Sequence, residues 1–120
     1  MRFLKIFYIL LIIMSSSAFA TEFIEGMDDI PLPAMMKQIH SADISFGNNE
    51  SRFNEAYLSS EKVSFNSVSN FYKDTLPQLG WKFVFQKENA LHFERDMEIL
   101  DIAVEKNKPL LVRVTLKSKD

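Results

Sequence analysis

The chain has 120 residues, 47% of them hydrophobic and 25% charged, with a formal net charge of −2. That length holds one hydrophobic core, and the apolar fraction excludes a disordered or low-complexity chain. With no cysteine, a disulfide scaffold, thiol catalysis, Cys-ligated zinc, an iron–sulfur cluster and a lipid on an N-terminal Cys are all excluded.

Arg2 and Lys5 precede an unbroken apolar run from Ile6 to Met14, and Ser15, Ser16 and Ser17 lead into Ala18-Phe19-Ala20. This is the pattern of a secretory signal peptide over residues 1–20, cleaved after Ala20. A retained membrane anchor is the competing reading, but the run is shorter than the roughly 20 residues that cross a hydrocarbon core. No transmembrane anchor is expected after cleavage, and the expected location is periplasmic or secreted. Without Arg2 and Lys5 the remaining chain carries 12 basic and 16 acidic residues, a net charge of −4. A weakly acidic chain with no basic stripe is not built for nucleic acid or for anionic membrane surfaces.

Residues 21–41 read as an irregular lead-in, acidic at first and then Asp28-Asp29-Ile30-Pro31-Leu32-Pro33. Two prolines one residue apart oppose both helix and ladder pairing, so an extended path is expected. Ala34 to Ile39 is expected to form one helical turn. The apolar residues Ile30, Leu32, Met35, Met36 and Ile39 then either pack on the domain edge or form a docking segment for a partner.

Residues 42–120 are expected to form a single α+β domain. Asp43 to Phe46 alternates with period two, Gly47-Asn48-Asn49 is a turn signal, and Arg52 to Leu58 reads as the returning strand of a hairpin. The clearest element is a helix from about Phe65 to Leu79. Ser64 is placed to cap it, and Val63 and Val68 are spaced as a hydrophobic staple. Val68, Phe71, Tyr72, Thr75, Leu76 and Leu79 share one helical stripe. Pro77 removes a hydrogen bond to the Lys73 carbonyl and predicts a tightened last turn. Gly80 stands where a left-handed terminator belongs, with Leu76 and Trp81 placed to touch across it.

Four segments of period two follow: Trp81 to Gln86, Ala90 to Arg95, Ile99 to Glu105 and Leu110 to Lys117. Requiring apolar positions to face one another predicts their register. A turn at Lys87-Glu88-Asn89 sets Phe83 opposite Phe93 and Phe85 opposite Leu91. A turn at Asp96-Met97 sets Phe93 opposite Leu100 and Leu91 opposite Ile102. A loop from Glu105 to Pro109 sets Val104 opposite Leu110 and Ile102 opposite Val112. One face of this meander is then apolar and suited to the helix. On the other face Lys82 meets Glu94, Val84 meets His92, His92 meets Asp101, and Asp101 meets Arg113. The predicted architecture is an antiparallel sheet, an N-terminal hairpin plus a four-stranded meander, packed on one face by a single helix.

Catalytic signals are sparse. His40, Ser41 and Asp43 are too close in sequence to deliver a nucleophile, base and orienting group to one atom. His92, Glu94 and Asp101 share a face and are the one triplet that could take a divalent metal, against the simpler reading of a solvated, ion-paired sheet surface. Three scattered glycines build no phosphate loop. The aromatic residues follow core-facing periods rather than forming a base-stacking platform. No cofactor is expected, and no enzymatic activity.

Phe71-Tyr72 followed by Leu76-Pro77-Gln78-Leu79-Gly80-Trp81 resembles a family of short, exported, uncharacterised bacterial proteins in which a helix ending LPQLGW feeds an antiparallel sheet. Asp28-Asp29-Ile30-Pro31-Leu32 and Glu98-Ile99-Leu100 are similar to the lead-in and a sheet segment of that group. Met35-Met36 departs from the Pro-Gly turn expected there. The resemblance implies export and an α+β fold, and no activity. Two functions are expected from the whole: a protein-binding accessory module of the bacterial cell envelope, working through a sheet edge or the lead-in, or a carrier of a small apolar ligand between helix and sheet.

Overall fold

The computed structural model describes residues 22–39 and 53–119. The expected signal peptide, His40, and the first strand and turn of the expected hairpin lie outside the described residues. Among these residues six strands form one antiparallel sheet: β1 (Lys37–Ile39), β2 (Phe53–Ser60), β3 (Lys82–Lys87), β4 (Ala90–Arg95), β5 (Glu98–Asn107) and β6 (Leu110–Ser118). A helix, α1 (Phe65–Thr75), joins β2 to β3. The order across the sheet is β1-β2-β6-β5-β4-β3. The fold is therefore the expected α+β sheet packed by one helix, with the C-terminal strand near its middle.

The helix forms as its sequence dictates. The Ser64 hydroxyl accepts a hydrogen bond from the Ser67 amide at 3.4 Å, satisfying one of the donors that a helix start leaves free. Val68, Tyr72 and Leu76 are buried, while Phe71 and Thr75 are half-buried and Leu79 is exposed. With no N–H at Pro77, the chain tightens into a 3-10 turn over Leu76–Leu79. Gly80 then takes a left-handed conformation at φ 95°, and the Trp81 amide donates to the Leu76 carbonyl at 3.1 Å. This is the closing bond of a Schellman cap.

The apolar sheet face is built from Ala56 and Leu58 on β2, Leu91 and Phe93 on β4, Leu100 and Ile102 on β5, and Leu110, Val112 and Val114 on β6, all buried. Two registers differ from expectation. The β5–β6 connection is a two-residue turn, Lys108-Pro109, with a bulge between Val104 and Lys106, so Ile102 lies opposite Val114 and Val104 opposite Val112. That slip of two residues keeps every side chain on its expected face. The β3–β4 turn is also two residues, Glu88-Asn89, and a bulge between Phe83 and Phe85 takes up the difference. Phe83 stays opposite Phe93, but Phe85 lies opposite His92 instead of Leu91. Here the slip is one residue, and Phe85 crosses to the other face.

The lead-in departs further from expectation. Ile24, Met27, Ile30 and Met36 are buried in the same core cluster as the helix and sheet, so the folded unit includes residues well before 42. Their spacing of three works because the segment folds back on itself. The Ile24 amide donates to the Ile30 carbonyl at 2.9 Å, Leu32 donates to Glu22 at 2.8 Å, and Phe23 pairs with Pro31 as an isolated bridge. Nor do Ala34 to Ile39 form a helical turn. Met36 donates to the Pro33 carbonyl at 3.1 Å across a turn with Met35 at φ 72°, and Lys37–Ile39 then pairs with β2. Six residues are too few to nucleate a helix, whereas the edge of β2 offers partners for their backbone.

Candidate functional site

The sheet face away from the helix carries the residues that sequence reasoning singled out for chemistry. β4 brings His92 and Glu94 to this face, and β5 brings Asp101 opposite His92. The His92 ring is held at both nitrogens: Nδ1 lies 2.5 Å from Asp101 Oδ1, and Nε2 lies 3.2 Å from Glu94 Oε2. Phe85, carried here by the bulge, stacks on the imidazole with ring centroids 4.6 Å apart and planes 7° from parallel. Lys119 Nζ approaches Glu94 Oε1 at 3.2 Å. Hydrogen bonds from Lys119 and then from His92 hold the Glu94 carboxyl below its usual range.

The expected trio is assembled, but its members do not converge on one point. Asp101 and Glu94 lie against different nitrogens of the ring, on opposite sides of it. Among the described residues, no group of three His, Asp or Glu side chains is placed to hold a metal ion. Arg113 does not reach Asp101. The slip of two residues on β6 sets Arg113 opposite Ala103 and brings Thr115 to Asp101. Arg113 instead lies 2.9 Å from Glu105 Oε2 and 3.9 Å from Glu55 Oε2. This face is an ion-paired, solvated surface.

The residues expected to bind a partner divide into two groups. Ile30 and Met36 are consumed by the core, and Leu32 is half-buried against it. The docking reading of the lead-in loses these three because their apolar surface is already covered. Met35 and Ile39 remain exposed, the first in the turn that precedes β1 and the second at the end of that strand. Among the expected structural residues, Ser64, Pro77 and Gly80 shape the helix ends, Leu76 is buried and Phe71 packs at the core margin. Trp81 is buried, with the Arg95 guanidinium 4.1 Å above its ring. Arg95 also bonds Asp29 at 2.8 Å, Glu98 at 3.1 Å and the Leu79 carbonyl at 3.1 Å, joining lead-in, sheet and helix end. Burial opposes its charge, but Asp29 and Glu98 outweigh that and raise its pKa.

Sequence reasoning missed the outer edge at β3. This strand ends the sheet order, and all six of its residues are exposed. Phe83, Val84 and Phe85 are each about two-fifths exposed, and the neighbouring Leu79 is exposed as well. Three bulky apolar residues in a row were the available signal, since strict alternation cannot place all three on one covered face. Lys73 Nζ lies 5.4 Å from the Phe83 ring centroid and Lys87 Nζ 5.5 Å from that of Phe85.

Among the described residues, hollows of about 510 and 550 Å³, both open, lie beside the loop from Ser60 to Lys62. Between helix and sheet, Val68, Tyr72, Leu76, Phe93, Leu100 and Ile102 are each at most 1% exposed and belong to one packed cluster. Among the described residues no helix is long and apolar enough to cross a membrane. No protein-family model matches this chain, and no curated protein or solved structure matches it either.

Proposed function

We propose that this chain is a non-enzymatic, exported accessory module of the bacterial cell envelope that binds another protein along β3. The observation that carries the reading is the strand itself: an outer edge with Phe83, Val84 and Phe85 all substantially exposed. An edge strand offers unpaired backbone donors and acceptors, and added strands gain affinity from them. Export is supported by the Arg2-to-Ala20 pattern and by the likeness of Phe71 to Trp81 to exported bacterial proteins. The non-enzymatic reading is supported by His92, whose two ring nitrogens each lie against a carboxylate of this chain. The packed cluster between helix and sheet favours a binding edge over carriage of an apolar ligand.

A photo-crosslinking residue in place of Val84, compared with one in place of Leu111 on the solvated face, tests the reading in cells. The expected outcome is a discrete adduct in the envelope fraction from position 84 and none from 111, with the mature chain beginning at Thr21. Equal labelling from both positions, or none from 84, overturns it.

A further inference from the structure

We infer that the occupant of β3 is an extended, acidic segment of another protein, added as a seventh strand. This rests on the binding reading above and names the partner's chemistry. Lys82 and Lys87 close the two ends of the strand, and Lys73 stands beside it on α1 over Phe83. None of the three makes an ion pair among the described residues, although the chain as a whole is acidic. Elsewhere among the described residues Arg95 is paired with Asp29 and Glu98, Arg113 with Glu105 and Lys119 with Glu94, while Lys37, Lys106 and Lys117 stand singly on other strands. At the β3 edge three such cations stand beside a continuous run of exposed apolar side chains, Phe83, Val84 and Phe85.

Lysines on an edge commonly serve to keep strands apart. They do so here against a second copy of this chain, because full antiparallel pairing of two β3 strands sets Lys82 against Lys87 at both ends. The same two charges favour a partner strand with carboxylates five positions apart and apolar residues between them. Its apolar side chains cover Phe83 and Phe85, and its backbone takes up the free edge. Like charges select against the wrong partner and opposite charges select for the right one.

The test uses the mature chain and three blocked hexapeptides carrying a fluorophore: Glu-Val-Thr-Ile-Thr-Glu, the same peptide with Gln for Glu, and the acidic peptide with alternate amides N-methylated. Fluorescence anisotropy at low salt should show the acidic peptide binding roughly three- to tenfold tighter than the Gln peptide, as expected for two exposed ion pairs. The margin should shrink at high salt. It should reverse in the double variant Lys82→Glu and Lys87→Glu, whose exposed positions leave the fold intact. N-methylation should abolish binding. Equal affinity of the acidic and Gln peptides, with loss on N-methylation, overturns the acidic partner and leaves edge binding standing. No binding by any peptide overturns both. A concentration-dependent dimer, with β3 amides protected from hydrogen exchange, overturns the proposal in favour of a second copy.

Discussion

The hydroxyl of Tyr72, inside the core, donates a 2.7 Å hydrogen bond to the carbonyl oxygen of Pro31, 41 residues earlier in the chain. Proline 31 thus sits where its acceptor is used by the helix, and the helix is pinned to a segment that its own sequence gives no reason to meet. A buried acceptor left without its donor costs about 1–3 kcal/mol. Tyr72→Phe should therefore lower unfolding free energy by that amount in urea titrations, with the fold retained. Burial also pushes the Tyr72 hydroxyl well above its ordinary value of 10.0. The neutral form is favoured in the folded state, so the contribution is full below about pH 10 and declines as pH rises above it. The phenylalanine variant should lack that alkaline loss of stability.

Ile30 tests whether the lead-in is structural. It is fully buried in the core cluster. Ile30→Ala should cost about 2–5 kcal/mol, the range for deleting a buried aliphatic side chain. Met35→Ala, at an exposed position five residues on, should change stability far less. Comparable urea midpoints for the two variants would mean that the lead-in is not part of the cooperative unit.

Met35 and Gly80 make a pair of opposite predictions. Both residues have left-handed backbone, at φ 72° and 95°. A side chain there costs roughly 1–2 kcal/mol, and glycine escapes the cost. Met35→Gly should raise the melting temperature, because the exposed side chain gives up little packing. Gly80→Ala should lower it, since the added Cβ is strained and comes within 3.3 Å of Arg95 Cδ.

Glu94 gives a pH dependence of the other sign. Its carboxyl is held below the ordinary value of 4.5 in the folded protein by Lys119 and His92. The charged form is favoured by folding, so its contribution is present above the unfolded value and is lost as pH falls through the folded one. Wild type should melt higher than Glu94→Gln at pH 7. The difference should narrow below about pH 4.5 and close in stronger acid. Thermal scans from pH 7 to pH 3 check this.

What could be read in advance follows from how each signal depends on neighbours. The helix was legible because Ser64, the stripe from Val68 to Leu76, Pro77 and Gly80 act within a few residues of one another. The faces of β4, β5 and β6 were legible too. A slip of two residues on β6 moved Val112 from Ile102 to Val104 without turning any side chain around. Phe85 was lost because a bulge shifts by one, and one residue reverses the face. That error hid the stacking on His92, while the same slip on β6 removed Arg113 from Asp101. The lead-in was misjudged for another reason: Ile24, Met27 and Ile30 carry no helix or strand period, and only the Pro31 acceptor and the core reveal their place.

The sheet order has a bearing on when the molecule can assemble. β6 is the last strand in the sequence, yet it is the one that bonds to both β2 and β5. A growing chain still lacking Leu110 to Ser118 has two half-sheets with nothing to bridge them, and pairing with β2 must wait for contacts some fifty residues apart. The sheet can close only once Leu110 to Ser118 is in place to bond both β2 and β5. Deleting β6 should therefore part β2 from β5 and break the sheet into two pieces, not merely trim one strand from it.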